Sequence, residues 1–268
     1  MHSRDDLAND FRQLGISPGD TIMAHASVRA VGEIAGGPDQ IHLALKDALT
    51  AEGTLIMYAS CPRYTDEVGR GNLTSEQEQE VLAKLPAFDP LTARSERDNG
   101  MLVEFFRTWP DSRVNLHPAR FVVWGKQADH LISRQPWHYA FGHDSALERF
   151  VQGGGKILLI GCDHDNVTFL HYAEHIVDIP GKRVTRFKVP VVEDGVRAWR
   201  EMEEFDTSEG VHPAWPDRFF ARIVGRYLAD ANNHGGRVGN AECFLFDARG
   251  VLDLALSMMT DAASVTRA

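Results

Sequence analysis

Six short runs of apolar and β-branched residues, at 21–27, 53–60, 121–125, 155–161, 186–192 and 241–248, alternate with segments whose apolar residues recur at a helical period. A strand that is apolar along its length must be covered on both faces. The alternation therefore confines the chain to the α/β class, with a central, largely buried sheet. Helices are predicted over 7–14, 38–49, 99–109, 145–151, 167–177 and 216–231, with a last one from about residue 252. Pro38 suits a first helical position, and Gly53 stops the chain before the next strand. KVPVV and VRAW, within 188–199, flank Glu193-Asp194-Gly195, and Asp-Gly is a hairpin turn dipeptide, so the sheet is expected to be mixed. The charged stretch 61–97 reads as an excursion over the sheet edge, which leaves 1–268 as a single domain.

With 43% hydrophobic and 25% charged residues in 268, the chain can bury a real core and falls outside the disordered and fibrous classes. The opening Met1-His-Ser-Arg-Asp-Asp-Leu has no apolar secretory region, and no stretch approaches the ~18 apolar residues that span a bilayer. A cytoplasmic protein with no membrane partner is expected. Cys61, Cys162 and Cys243 are an odd number at wide spacing, which reads as reduced thiols rather than a disulfide framework or a cysteine zinc site. Lys and Arg total 28 against 38 Asp and Glu, a net charge of −10, so the field repels nucleic acid and attracts cations.

The most informative stretch is GKILLIGCDHDNVTFLHYAEHI, 155–176: a buried strand, a polar loop and an amphipathic helix. Asn166 is a predicted N-cap, which places Thr168 and His171 in the first two turns. Ligands of open α/β sheets sit beyond the carboxyl ends of strands, and a helix N-terminus there offers N–H groups to a phosphate or an oxyanion. His171 is suited to act as a general base near neutral pH, with Glu174 and Glu204 as candidates to orient it.

Other readings stay open at this point. His171 could be a helix histidine satisfied by a neighbour. His171-Tyr-Ala-Glu174-His175 matches H-x-x-E-H, the inverted zinc-peptidase signature, although no convincing downstream carboxylate ligand is present. Cys162, beside His164, could be a thiolate nucleophile activated by the helix end. A protein that merely sequesters cations is a further alternative.

Across the chain, His25-Ala-Ser-Val-Arg-Ala-Val-Gly32, Gly36-Gly-Pro-Asp39, the 53–60 strand, Pro86-Ala-Phe-Asp-Pro90, Asn99-Gly-Met-Leu-Val-Glu-Phe-Phe106 and His117-Pro118 occur in order. They are followed by Asn166-Val-Thr-Phe-Leu-His-Tyr-Ala-Glu174, Pro180-Gly-Lys-Arg183, Glu204-Phe-Asp206 and Cys243-Phe-Leu-Phe-Asp-Ala248. This collinear series resembles the aminoglycoside 3-N-acetyltransferases. The resemblance implies an α/β/α sandwich distinct from the common N-acetyltransferase fold, acetyl-CoA as co-substrate, no metal, and a cationic aminoglycoside acetylated at its 3-amino group. A family relative acting on a non-antibiotic amine is the alternative within the same chemistry. Either a monomer or a homodimer is compatible.

The resemblance also implies residue roles. His171 becomes the catalytic base, Glu204 its preferred acidic partner, and Thr168 a hydrogen-bond donor to the thioester carbonyl. His25, Ser27, Val28, Arg29 and Gly32 fall along the CoA path, with Arg29 near phosphate. Acidic and polar side chains are needed to meet acceptor ammonium groups, and the candidates are Tyr64 and the carboxylates Asp66, Glu104 and Asp206, together with Glu67, Glu96, Asp98 and Glu204. Arg113-Val-Asn-Leu-His117 and Asp144-Ser-Ala-Leu-Glu-Arg149 depart from the family's usual segments, which bears on the pocket rim.

Overall fold

The computed structural model describes residues 1–61, 68, 73–207 and 210–264. Among the described residues, seven strands form the central sheet: β1 (Thr21–Ala26), β2 (Thr54–Tyr58), β3 (Arg113–Val114), β4 (Phe121–Gly125), β5 (Lys156–Ile160), β8 (Gly236–Val238) and β9 (Ala241–Asp247). Their order is β3-β4-β2-β1-β5-β9-β8. The three middle strands, β2, β1 and β5, are parallel, and β4 and β9 flank them antiparallel, so the sheet is mixed.

The hairpin is not the reason for the mixing. Its strands, β6 (Val184–Glu193) and β7 (Val196–Phe205), form a separate two-stranded sheet. Residues 186–192 are thus not a central strand, as their mostly half-buried or exposed side chains show.

Helices cover both faces. On one side lie α1 (Arg4–Gln13), α2 (Val28–Val31), α3 (Asp39–Leu49) and α5 (Met101–Thr108). Their core includes Phe11, Leu45 and Phe106 against Ile22, Leu55 and Leu158. On the other lie α6 (Ala128–Ile132), α7 (Ala146–Gln152), α8 (Leu170–Ile176), α9 (Phe219–Asp230) and α10 (Ala248–Ser264). There Phe150, Phe169 and Met259 pack on Met23, Ile157 and Leu159. Each such aliphatic or aromatic side chain stabilises the fold by about 1.5–3 kcal/mol through burial.

Local chemistry sets the helix starts. The α1 start is a capping box between Ser3 and Asp6, and Ser145 caps α7. The excursion after β2 carries α4 (Ser75–Lys84), begun by a Thr74–Gln77 capping box, which the sequence reading did not anticipate. The excursion then docks on the hairpin, where Phe88 and Ala93 meet Val189, Val191 and Met202.

Candidate active site

The parallel trio creates a crevice. The chain passes from β1 to β2 on one side and later reaches β5 on the other, so the connections diverge at the carboxyl end of β1, where open α/β sheets bind ligands. A cleft of about 260 Å³ opens there, lined by Ala24, His25 and Ala26 of β1, Met57 and Tyr58 of β2, Cys162 after β5, and the segment 165–168 with His171. Asp98, Asn99 and Gly100 close one side and Phe220 another. Gly161 makes the tight exit from β5: its φ is +59°, and a Cβ there would stand 2.3 Å from that of Ala30.

The polar loop folds differently from the sequence expectation. Asp163, not Asn166, is the capping side chain, and it starts a 3-10 turn over His164–Asn166. The α-helix proper begins at Leu170, and Phe169 precedes it without a side-chain cap. As a result the first amides are already bonded: Leu170 N–H to the Val167 carbonyl, His171 to Thr168 and Tyr172 to Phe169. These N–H groups, expected to face an oxyanion, are satisfied by the turn itself. The Thr168 side chain remains in the cleft lining.

His171 projects from α8 into this cleft. Its Nδ1 lies 2.6 Å from Glu174 Oε2, a carboxylate one turn along the helix and nearly buried. A carboxylate there holds the proton on Nδ1 and leaves Nε2 as the nitrogen that can accept one. The ring is steadied by Phe141 and Phe220, with centroids 5.2 and 5.1 Å away.

Glu204 does not pair with His171. It meets His175 Nε2, and it also accepts the N–H groups of Ala140 at 2.7 Å and Phe205 at 3.0 Å. His175 Nδ1 lies 2.6 Å from the His171 carbonyl oxygen. The hairpin, the loop before α7 and the helix of His171 are thereby tied together through one buried ring. Both nitrogens of His175 are engaged by oxygens of the chain, which removes one of the two histidine ligands that the H-x-x-E-H reading requires.

Cys162 touches the same cleft, and its Sγ lies 3.4 Å from the His25 carbonyl oxygen. Burial pushes the thiol up to about 11, so the thiolate that a nucleophile needs is scarce at neutral pH. His25 is affected in the opposite sense: burial, and then the neighbouring His171, lower it to about 4 and keep the ring uncharged.

Several predicted residues stand elsewhere. Glu104 is bound by Arg94 at 2.6 Å, Arg107 at 2.5 Å and the Ser95 N–H at 3.1 Å. Burial opposes its charge, but hydrogen bonds from Arg107, Arg94 and Ser95 prevail and hold it at about 2. This carboxylate joins α5 to the 94–95 segment and does not line the cleft. Asp206 sits half-buried just past β7, its N–H bonded to the Arg183 carbonyl, also outside the lining.

Ser27 precedes α2 with its N–H on the Ile160 carbonyl, and Val28 and exposed Arg29 follow within α2. The lining stops short of all three, at Ala26. Gly32, at φ +90°, answers a packing need, because a Cβ there would stand 2.5 Å from Asn240 Nδ2. Tyr64, Asp66 and Glu67 lie outside the described residues. Sequence reasoning missed Tyr58, Asn99, Asp165, Phe141 and Phe220. Tyr58 could have been found as the carboxyl end of a predicted central strand; Phe141 and Phe220 carry no local signal.

Comparison with known proteins places this geometry. The family model described as aminoglycoside 3-N-acetyltransferase matches residues 23–260. The chain is 36% identical to aminoglycoside N(3)-acetyltransferase III of Pseudomonas aeruginosa, over 96% of this chain and 93% of that one. It is 35% identical to aminoglycoside N(3)-acetyltransferase VII of Streptomyces paromomycinus, covering 97% and 92%. Among solved structures, AAC-IIIb in a binary complex with CoASH superposes with a TM-score of 0.89 at 37% identity, covering 97% of each chain. AAC-VIa bound to sisomicin gives 0.89 at 32% identity, covering 98% of each.

Proposed function

We propose that this chain, which belongs to the aminoglycoside 3-N-acetyltransferase family, transfers the acetyl group of acetyl-CoA to the 3-amino group of a 2-deoxystreptamine aminoglycoside, with His171 as general base. The observation that carries the reading is the His171–Glu174 contact at the cleft beyond the parallel strands.

In a ternary complex the neutral amine attacks the carbonyl carbon of the thioester, and the carbonyl π pair moves to oxygen. Nε2 of His171 takes the proton from the attacking nitrogen. When the carbonyl re-forms, the carbon–sulfur bond breaks and the sulfur leaves with the proton returned by His171. The products are an acetamide and CoA thiol, with His171 restored and no covalent enzyme intermediate.

Asp98 and Asp165 in the lining and the net charge of −10 support a cationic acceptor. Tyr64, Asp66 and Asp206 remain in the reading as acceptor contacts, and Ser27, Val28 and Arg29 as contacts to CoA. The need for acetyl-CoA supports a cytoplasmic setting; no described helix is long and apolar enough to cross a membrane. Thiol release from acetyl-CoA, followed across a panel of aminoglycosides, tests the proposal. Release that depends on the acceptor is expected. An absence of release with every member would set the reading aside.

A further inference from the structure

The alternation of β1 gives its side chains to the two layers in turn. Ile22 and Ala24 belong to the core under α1 and α3, and Met23 to the core under α7 to α10. His25, two residues beyond Met23, therefore points to the layer that carries His171, and both line the cleft with Thr168. Its Nε2 is buried and has no hydrogen-bond partner among the described residues. An unpaired buried polar atom is destabilising, and where native proteins keep one, a catalytic role or a ligand commonly accounts for it.

Among the described lining residues, the Thr168 hydroxyl is left to meet the thioester oxygen without help from the first amides of α8. The Leu170, His171 and Tyr172 amides are bonded within their own turn, so these three are not free to receive the negative charge that develops on the thioester oxygen. A histidine held neutral by its surroundings carries one N–H, and it can lend that hydrogen bond without giving up the proton. Burial and the nearby His171 keep His25 in that neutral form through the physiological range.

We propose that His25 is a second catalytic histidine, whose ring N–H donates to the carbonyl oxygen of acetyl-CoA and holds it as the amine attacks. This rests on the acetyl-transfer reading and divides the work: His171 moves the proton, and His25, with the Thr168 hydroxyl, meets the oxygen.

The test compares wild type with His25→Leu, which removes the donor, and His25→Gln, which retains an N–H. Acetyl-CoA labelled with ¹³C at the carbonyl is bound to each protein without aminoglycoside, and its carbonyl resonance and stretching frequency are recorded. In wild type the bound carbonyl should be polarised, moving downfield and to lower frequency relative to free acetyl-CoA. His25→Leu should return it toward the free values, and His25→Gln should keep most of the shift. In turnover, His25→Leu should lose about 10²- to 10³-fold in kcat, the scale of one oxyanion donor, with KM for acetyl-CoA little changed. His25→Gln should recover at least about tenfold of that loss.

A carbonyl signal in His25→Leu equal to that of wild type overturns the proposal, as does a defect confined to KM for acetyl-CoA, which would make His25 a binding residue only. If His25→Leu does not fold, His25→Ala read against His25→Gln gives the same contrast. Because the spectroscopic comparison needs no acceptor, a wild-type protein that acetylates no aminoglycoside would remove the functional reading, while the carbonyl signal still decides the role of His25.

Discussion

His171 and Glu174 stand one turn apart on a seven-residue helix, with Nδ1 and Oε2 2.6 Å from each other, so the imidazole is oriented by its own helix rather than by a distant strand. A base whose tautomer is fixed in this way needs no rearrangement before it accepts a proton, and its partner should matter to turnover more than to binding.

Glu174→Ala is therefore expected to lower kcat at least about tenfold, a share of the roughly 10²- to 10⁴-fold that a positioned general base supplies. KM for acetyl-CoA should stay close to that of wild type. Steady-state kinetics check this, and an unchanged kcat would show that Glu174 does not orient the base.

Glu204→Ala should act mainly on stability. The substitution leaves His175 buried beside the His171 carbonyl without its carboxylate, and breaking a buried pair of this kind costs about 3–5 kcal/mol. For a chain of this size the melting temperature should fall by roughly 6–20 °C. Thermal melting measures it, and a melting point equal to that of wild type would contradict the role given to this pair.

Glu104 offers a test with a pH sign. Its folded value of about 2 lies below the ordinary 4.5, so the unfolded chain binds the extra proton first. The stabilisation is fully present above about pH 4.5 and is lost as pH falls toward 2. Glu104→Gln should flatten that part of the acid-unfolding profile while leaving KM for the aminoglycoside unchanged. A large rise in that KM would return Glu104 to the acceptor site.

Much of this organisation was legible in the chain. The runs that became β1, β2, β4, β5 and β9 were long, apolar and bounded by turn residues, and His171 followed one of them at the spacing where α/β folds place ligands. Glu204 meets His175 rather than His171 because its partner depends on where a hairpin docks, and no local period reports that. Asn166 suits a cap by residue type, but Asp163 takes the role and begins a 3-10 turn, which shifts the helix start to Leu170. Glu104 was readable: Arg107 three residues on, along the same helix face, marks a local ion pair. Phe141 and Phe220 reach the site only through tertiary packing.

The central claim is that His171 takes the proton during acetyl transfer. The direct measurement is aminoglycoside-dependent thiol release by His171→Ala beside wild type, with CoA binding followed by calorimetry. A fall of about 10²-fold or more in kcat with CoA affinity retained is the predicted result; near-normal turnover in a variant that still binds CoA would contradict it.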